Sequence, residues 1–185
     1  LLSTLFGNDI EKVKPVIITG GSDSAIFDNV LELLVLGGRS LPHAMMMMVP
    51  EAYSSQFLMS EDKRAFYEYH SAIMEPWDGP AALAFTDGRY IGATLDRNGL
   101  RPARFTITND GQIVMASETG VMEFHGFQIV RRGRLQPGKM FLVDLQQNRI
   151  VPDNEIKAKT SRRRPYRRWL KENRIELRGL FAPSG

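Results

Sequence analysis

Two Asp-Gly pairs, each set between short runs of apolar residues, constrain the fold of this chain more than any other feature. Asp87-Gly88 separates "ALAFT" from "RYIGATL", and Asp110-Gly111 separates "ARFTITN" from "QIVMAS". Asp-Gly in this setting is typical of a tight β-hairpin, whose turn needs residues that accept positive φ. The stretch "KMFLVDL-QQN-RIV" has the pattern of a third hairpin. The sequence therefore predicts mainly antiparallel sheet from about residue 81 to residue 151.

The residues before these hairpins carry the spacing of helices. Apolar side chains recur at helical spacing from Ser24 to Leu36, and "SLPHAMMMM" places Pro42 near the start of a short helix of buried methionines. A third helix is predicted after Ser60, with an apolar stripe of Ala65, Phe66, Tyr69 and Ile73. In the irregular lead-in, "PVIIT" has the pattern of a short strand. Because helices come first and strands follow without alternation, we predict the α+β class.

The composition limits the chemistry that these 185 residues can perform. They contain no cysteine, which excludes disulfides, thiolate metal sites and a cysteine nucleophile within them. The three histidines show no metal-ligand spacing, so we expect no metal. No apolar run approaches the length of a membrane span, and no secretory signal opens the chain. We therefore expect no membrane partner and a cytoplasmic location, or a plastid one in a photosynthetic eukaryote.

Positive charge is concentrated at the end of the chain. Residues 157–178 hold ten Lys or Arg and two Glu, so the net charge of +3 leaves −5 on the other residues. A basic segment after an acidic body is typical of a solvated surface element. We predict a basic linker over residues 157–185 with a short helix starting near Pro165, and no nucleic-acid partner.

Asp23 is the first candidate for a site residue. It follows Gly20-Gly21 in "TGGSDS", at the predicted start of the first helix. Its carboxylate has two possible roles: it can cap the orphan N–H groups of that helix, or it can reach a ligand from the helix end. The local pattern by itself favours a cap, and both roles stay open at this point.

The segment "LDRNGLRPARF" holds the densest group of polar residues. Asp96 can accept hydrogen bonds from the turn that it begins, and Asn98-Gly99 permits positive φ. Arg97 and Arg101 can each bind a carboxylate in bidentate fashion. Taken alone, the segment predicts a structural turn with an Asp–Arg pair.

Three segments together resemble a known family. They are "GGSDSAIFDNVLELLVLGGRSLPHAMMMMVPEA", "EPWDGPAALAFTDGRYIGATLDRNGLRPARF" and "ASETG". Over roughly residues 5 to 180 the chain resembles the glutamine amidotransferase domain of glutamate synthase large subunits. These are class II amidotransferases of the N-terminal-nucleophile hydrolase superfamily.

The resemblance implies a fold, an activity and a role for Asp23. The fold is a four-layer αββα sandwich of two antiparallel sheets between helix layers. In the family, an N-terminal cysteine thiolate attacks the side-chain amide of glutamine, and the released ammonia travels through a tunnel to 2-oxoglutarate at a domain with FMN and an iron–sulfur cluster. The family motif that "SDS" matches supplies an aspartate for the α-ammonium of glutamine, and Asp23 occupies that position. Asp96, Arg97, Asn98, Gly99 and Arg101 match a structural turn near the site.

The family pattern is incomplete in this chain. The nucleophilic cysteine, the arginine for the substrate carboxylate and the oxyanion Asn-Gly pair belong to the first half of the family domain, and Asn98-Gly99 is not that pair. The chain also opens on Leu1 without an initiator Met. We therefore expect a fragment: residues 1–156 from the C-terminal part of the amidotransferase domain, and residues 157–185 leading toward a central domain. Alone it should be inactive and hold no cofactor.

The expected partners are glutamine, the missing part of the domain, the synthase domains and a small reductase subunit. Two alternatives remain. One is the glutaminase half of a phosphoribosylpyrophosphate amidotransferase, which has a looser version of "DRNGLRPAR". The other is a non-catalytic interaction module of the same fold.

Overall fold

The structure, a computed structural model, describes residues 6–53 and 58–175. A 3-10 helix at Gly7–Val13 opens the described chain, and a second lies at Gly126–Gln128. The helices are α1 (Asp23–Leu36), α2 (Leu41–Met48), α3 (Glu61–Ser71), α4 (Asp153–Ser161) and α5 (Tyr166–Asn173). The strands are β1 (Ala82–Thr86), β2 (Tyr90–Leu95), β3 (Arg104–Thr108), β4 (Ile113–Ala116), β5 (Ile129–Arg134), β6 (Met140–Asp144) and β7 (Arg149–Val151). Three helices precede the strands and two follow them, without alternation, which agrees with the predicted α+β class.

The first three helices begin where the sequence places them. The Ser22 hydroxyl accepts a hydrogen bond from the backbone N–H of Ala25 at 3.3 Å, and the Ser60 hydroxyl accepts one from Lys63 at 3.4 Å. Both are N-cap contacts, which satisfy backbone donors that have no partner within the helix. The predicted apolar stripe of α3 is wrong at its end, because Ile73 lies beyond the helix and is 38% exposed.

The seven strands form two antiparallel sheets. The first has the order β1-β2-β6-β7 and the second the order β4-β3-β5. All three predicted hairpins are present, as the pairs β1–β2, β3–β4 and β6–β7. Strand β5, which pairs with β3, carries four polar or glycine residues in "IVRRGR" and was not predicted. The predicted strand "PVIIT" is wrong, since residues 15–19 form no strand.

Two apolar clusters hold these elements together. The larger joins the helices to the first sheet and includes the four methionines Met45–Met48, each at most 4% exposed. The smaller lies between the sheets, where Ala93 and Leu95 pack with Ala103 and Leu135. Phe141 of the first sheet packs against this cluster, and its ring lies 4.9 Å from that of Phe105 in the second sheet. Helices therefore cover one face of the first sheet, and the second sheet covers part of the other.

The basic end of the chain holds the predicted short helix near Pro165, which is α5, but residues 157–161 belong to α4 and not to a linker. Lys157 is 2% exposed within α4, and Tyr166 is 3% exposed in α5. The Tyr166 and Trp169 rings lie 5.4 Å from Phe66 and 5.3 Å from Tyr69, respectively, both on α3. These aromatic contacts make residues 153–173 a packed pair of helices, because the apolar gain outweighs the charge around it. None of the helices in the described ranges is long and apolar enough to cross a membrane.

Candidate functional site

Asp23 lies in the first turn of α1, directly after the N-cap residue Ser22. The turn before it is closed by a hydrogen bond from the N–H of Gly21 to the carbonyl of Ile18 at 3.2 Å, and Gly20 has a φ of +81°. Ser22 caps the helix and also bonds the hydroxyl of Ser24 at 3.0 Å. Within residues 6–53 and 58–175, the exposed Asp23 carboxylate forms no hydrogen bond or ion pair. Its carboxylate is therefore not used as the cap.

The turn after β2 is organised by the carboxylate of Asp96. Its two oxygens accept hydrogen bonds from the backbone N–H groups of Ala81 at 3.0 Å, Asn98 at 2.9 Å and Gly99 at 3.1 Å. The residue is 4% exposed. A buried carboxylate is tolerated when hydrogen-bond donors surround it. The predicted bonding of Asp96 to its own turn is confirmed, and the turn is tied to the start of β1.

Gly99 is required by space as well as by backbone angle. Its φ is +60°, in the left-handed region, and a Cβ atom there would overlap the ring of Pro137. The carbonyl of Asp96 also accepts a hydrogen bond from Gly138 at 3.0 Å. The turn at residues 96–99 therefore packs directly on the turn that precedes β6.

The two arginines of this segment do not pair with Asp96. Arg97 forms an ion pair with Asp78 at 3.1 Å, and both side chains are more than half exposed. Arg101 is exposed and forms no ion pair with any described residue. The predicted Asp–Arg pair within the turn is wrong, because backbone donors already occupy the Asp96 carboxylate. No hydrogen bond within the described ranges joins Asp23 to this turn.

A buried ion network lies beneath the turn and was not predicted. The Lys157 ammonium contacts Glu51 at 2.9 Å and Asp153 at 3.0 Å, and it donates to the carbonyl of Gly138 at 2.6 Å. Glu51 also contacts Lys63 at 3.1 Å and accepts from the Tyr67 hydroxyl at 3.4 Å. Through Gly138 the network connects α4 to the Asp96 turn.

Burial controls the protonation of the Tyr67 hydroxyl in this network. Burial, and then the nearby Glu51 carboxylate, raise the pKa of Tyr67 well above its ordinary value, since both disfavour a phenolate. Tyr67 therefore stays a neutral donor to Glu51. Residues 51 and 157 are 106 positions apart, so no local pattern in the sequence pointed to this contact.

His43 and His70 form a buried pair under α5. Their Nε2 atoms are 3.0 Å apart, and His70 Nδ1 lies 2.7 Å from the carbonyl oxygen of Phe66. A carbonyl only accepts, so the hydrogen-bond network assigns the His70 proton to Nδ1 and the shared proton to His43 Nε2. Burial lowers the pKa of His43 to about 3 and that of His70 to about 4. The pair is neutral at pH 7.

Comparison with known proteins shows the family. Residues 1–169 match the family described as glutamine amidotransferases class-II. The chain is 48% identical over 176 residues to the "Glutamate synthase [NADPH] large chain" of Bacillus subtilis, covering 95% of this chain and 12% of that protein. It is 50% identical over 183 residues to the "Glutamate synthase [NADH]" of Saccharomyces cerevisiae, covering 98% and 8%. It is 45% identical over 179 residues to the "Ferredoxin-dependent glutamate synthase" of Antithamnion sp., covering 96% and 12%.

The match covers nearly all of the chain but a small part of each relative. The start of α1 and the Asp96 turn both lie inside the matched range of 1–169. The helices, the antiparallel sheets and the family match agree with the resemblance seen in the sequence. The chain therefore belongs to the class II glutamine amidotransferases.

Proposed function

We propose that this chain forms part of the glutaminase domain of a glutamate synthase, which hydrolyses glutamine and delivers ammonia to 2-oxoglutarate. The proposal is supported by family membership and by the similarity to three glutamate synthases over at least 95% of this chain. The chain spans 12% or less of their length, so the thiolate chemistry, the synthase site and a small reductase subunit would come from elsewhere.

Asp23 is the residue that we expect to bind glutamine. The single observation that carries this role is that Ser22 caps α1 while the neighbouring Asp23 carboxylate is exposed and has no partner among the described residues. A carboxylate bears a full negative charge, which exceeds the partial positive charge of about half a unit at a helix N-terminus. Asp23 can therefore accept charge-assisted hydrogen bonds from an α-ammonium group in spite of its position.

The residues of the 96–101 turn are proposed to shape the surroundings of the site. The bonds from Asp96 to three backbone N–H groups hold the turn rigid, and Asn98 and Gly99 take their conformation from it. Arg97 and Arg101 project to the surface. We infer that the turn positions the substrate pocket without contacting the reacting atoms.

The packing supports a larger fold than the described residues contain. Helices on one face of a sheet, with a second antiparallel sheet on the other, are compatible with three layers of the proposed four-layer αββα sandwich. We infer that residues outside this chain complete the fourth layer. The division at residue 156 remains a prediction, and the packing of α4 and α5 favours a later boundary.

The cofactors of the proposed parent would bind outside this chain. An iron–sulfur cluster is held by cysteine thiolates, and the chain has no cysteine. FMN likewise belongs to the proposed synthase domain. A cytoplasmic or plastid location is part of the same proposal.

The test is steady-state kinetics of Asp23→Asn in the full-length protein. A charge-assisted hydrogen bond contributes on the order of 1.5–3 kcal/mol of binding free energy, so its loss should lower kcat/KM for glutamine roughly 10- to 150-fold. The ammonia-dependent reaction should be spared, because ammonia bypasses the glutamine pocket. The fold should persist, since Asn is also well tolerated at a helix start.

Asp28→Asn is the matched control, because Asp28 is exposed on the same helix, one turn further on. It should leave both reactions unchanged. Unchanged glutamine kinetics in Asp23→Asn, with a lowered melting temperature, would show that Asp23 only stabilises the helix. Equal losses of kcat/KM with glutamine and with ammonia in Asp23→Asn would also contradict the proposed role of Asp23.

A further inference from the structure

A cavity of about 270 Å³ lies beside the contact between α5 and α3. We call it the arginine cavity. Its walls come from the loop after α1, from helices α2, α3 and α5, and from the turn between α4 and α5. The side chains that matter here are Arg39, His43, Tyr69, Arg163, Arg164 and Trp169. None of its described lining residues is acidic.

The three arginines of the arginine cavity stand out by their lack of counter-charges. Neighbouring arginines in the same basic segment are paired: Arg162 with Asp62 at 3.0 Å, and Arg168 with Glu172 at 2.6 Å. Arg39, Arg163 and Arg164, by contrast, form no ion pair with any residue in the described ranges. Three arginines that line one cavity, with no carboxylate among the described lining residues, create a positive field, which favours an anion.

His43, which lines the cavity, carries an acceptor instead of another donor. His43 is 6% exposed, and its Nε2–H is engaged with His70. Its Nδ1 atom is buried and has no hydrogen-bond partner among the described residues. In this tautomer Nδ1 carries a lone pair, so its hydrogen-bond partner must be a donor. Leaving such a group unsatisfied is costly in a buried position.

We propose that the arginine cavity binds a small phosphate monoester. The phosphate oxygens would accept hydrogen bonds from Arg39, Arg163 and Arg164, and the P–OH of the monoanion would donate to Nδ1 of His43. Tyr69 and Trp169 would pack against a ring of the ligand. The volume of about 270 Å³ suits a phosphate group with one ring. This site is separate from glutamine hydrolysis and does not depend on the role of Asp23.

The test uses phenyl phosphate as the probe and the full-length protein at pH 6, where about half of a phosphate monoester still carries a P–OH. Hydrogen exchange followed by mass spectrometry should show protection in peptides covering residues 37–43 and 163–169. Calorimetric titration should give an affinity that falls about tenfold in Arg163→Gln or Arg164→Gln. Arg168→Gln is the matched control, because Arg168 already pairs with Glu172, and it should bind like the parent.

Phenyl sulfate tests the role of His43, since it has the ring and the negative charge but no proton to donate. Phenyl phosphate should bind about tenfold more tightly than phenyl sulfate, and His43→Phe should abolish that preference. The wild-type exchange experiment does not depend on the folding of any variant. The proposal is overturned if no protection appears at the two segments, if Arg168→Gln weakens binding as much as Arg163→Gln, or if both probes bind equally.

Discussion

Acidification from pH 7 to pH 5 should loosen helices α2 and α3, because His43 and His70 fold as a neutral pair. Burial is the largest cause that lowers their pKa values from 6.5 to about 3 and about 4, and the guanidinium of Arg39 adds to both. In the unfolded chain both imidazoles take up protons as the pH falls through 6.5. The folded pair does not do so until the pH nears 4. The unfolded state therefore binds more protons in this window, so stability falls as the pH falls.

The size of this loss of stability follows from the folded and unfolded pKa values of the two histidines. For a histidine with an unfolded pKa of 6.5 that stays neutral when folded, the change from pH 7 to pH 5 costs about 2 kcal/mol, or about 4 kcal/mol for the pair. The assay is hydrogen exchange of the full-length protein, read in peptides from α2 and α3. After correction for intrinsic exchange rates, the amides that exchange through openings that expose both histidines should become about a thousandfold less protected.

Two variants separate the pair from other pH effects. His43→Gln removes one of the two proton-binding groups and should halve the loss, to about 2 kcal/mol. His125→Gln removes an exposed histidine and should leave the loss as in the parent. A drop in protection of less than tenfold in the parent protein would refute the argument. So would the same drop in the parent and in His43→Gln.

Three further predictions concern stability, measured as the local free energy of opening by hydrogen exchange. Asp96→Ala strands three backbone N–H groups and should cost at least about 3 kcal/mol, while Asp96→Asn, which keeps one acceptor oxygen, should cost roughly half as much. Gly99→Ala should lower this free energy by about 3 kcal/mol or more, because a left-handed residue would be strained and its Cβ would overlap Pro137. Gly88→Ala, at a φ of +83° in open space, should lower it by only about 1–2 kcal/mol. Equal losses in the two variants would exclude the steric overlap. Lys157→Met should lower the free energy of opening by about 3–5 kcal/mol, because two carboxylates lose their buried partner. Lys159→Met, at an exposed position, should change it little. An unchanged free energy in Lys157→Met would show that the network does not stabilise the fold.

The elements that were predicted correctly depend on residues close together in the sequence. Asp87-Gly88 and Asp110-Gly111 mark hairpins because the turn angles restrict which residues fit. Ser22 and Ser60 mark helix starts because a hydroxyl three residues before a free N–H can cap it. Strand β5 was missed because its formation depends on pairing with β3, and three of its six residues are arginine.

The candidate site was predictable only where a local motif defines it. The self-bonding turn of Asp96 could be predicted, since its donors lie two and three residues further along the chain. The partner of Arg97 could not, because Asp78 is 19 residues away and is brought close by strands β1 and β2. The pattern around Asp23 left capping and ligand binding open, and the tertiary structure assigns the capping bond to Ser22.

By itself, the sequence determined the order of helices and hairpins, the methionine core and the lack of a thiolate, because each depends on local spacing or on composition. The tertiary structure decided which charges are buried and which are left without partners. Lys157 and Glu51 meet across 106 residues, and His43 and His70 meet across 27. Similarly, the packing of α4 against α3 brings Arg162 to Asp62, while Arg163 and Arg164 form no ion pair with any described residue. Electrostatic partners depend on distance in space, and distance in the sequence does not encode it.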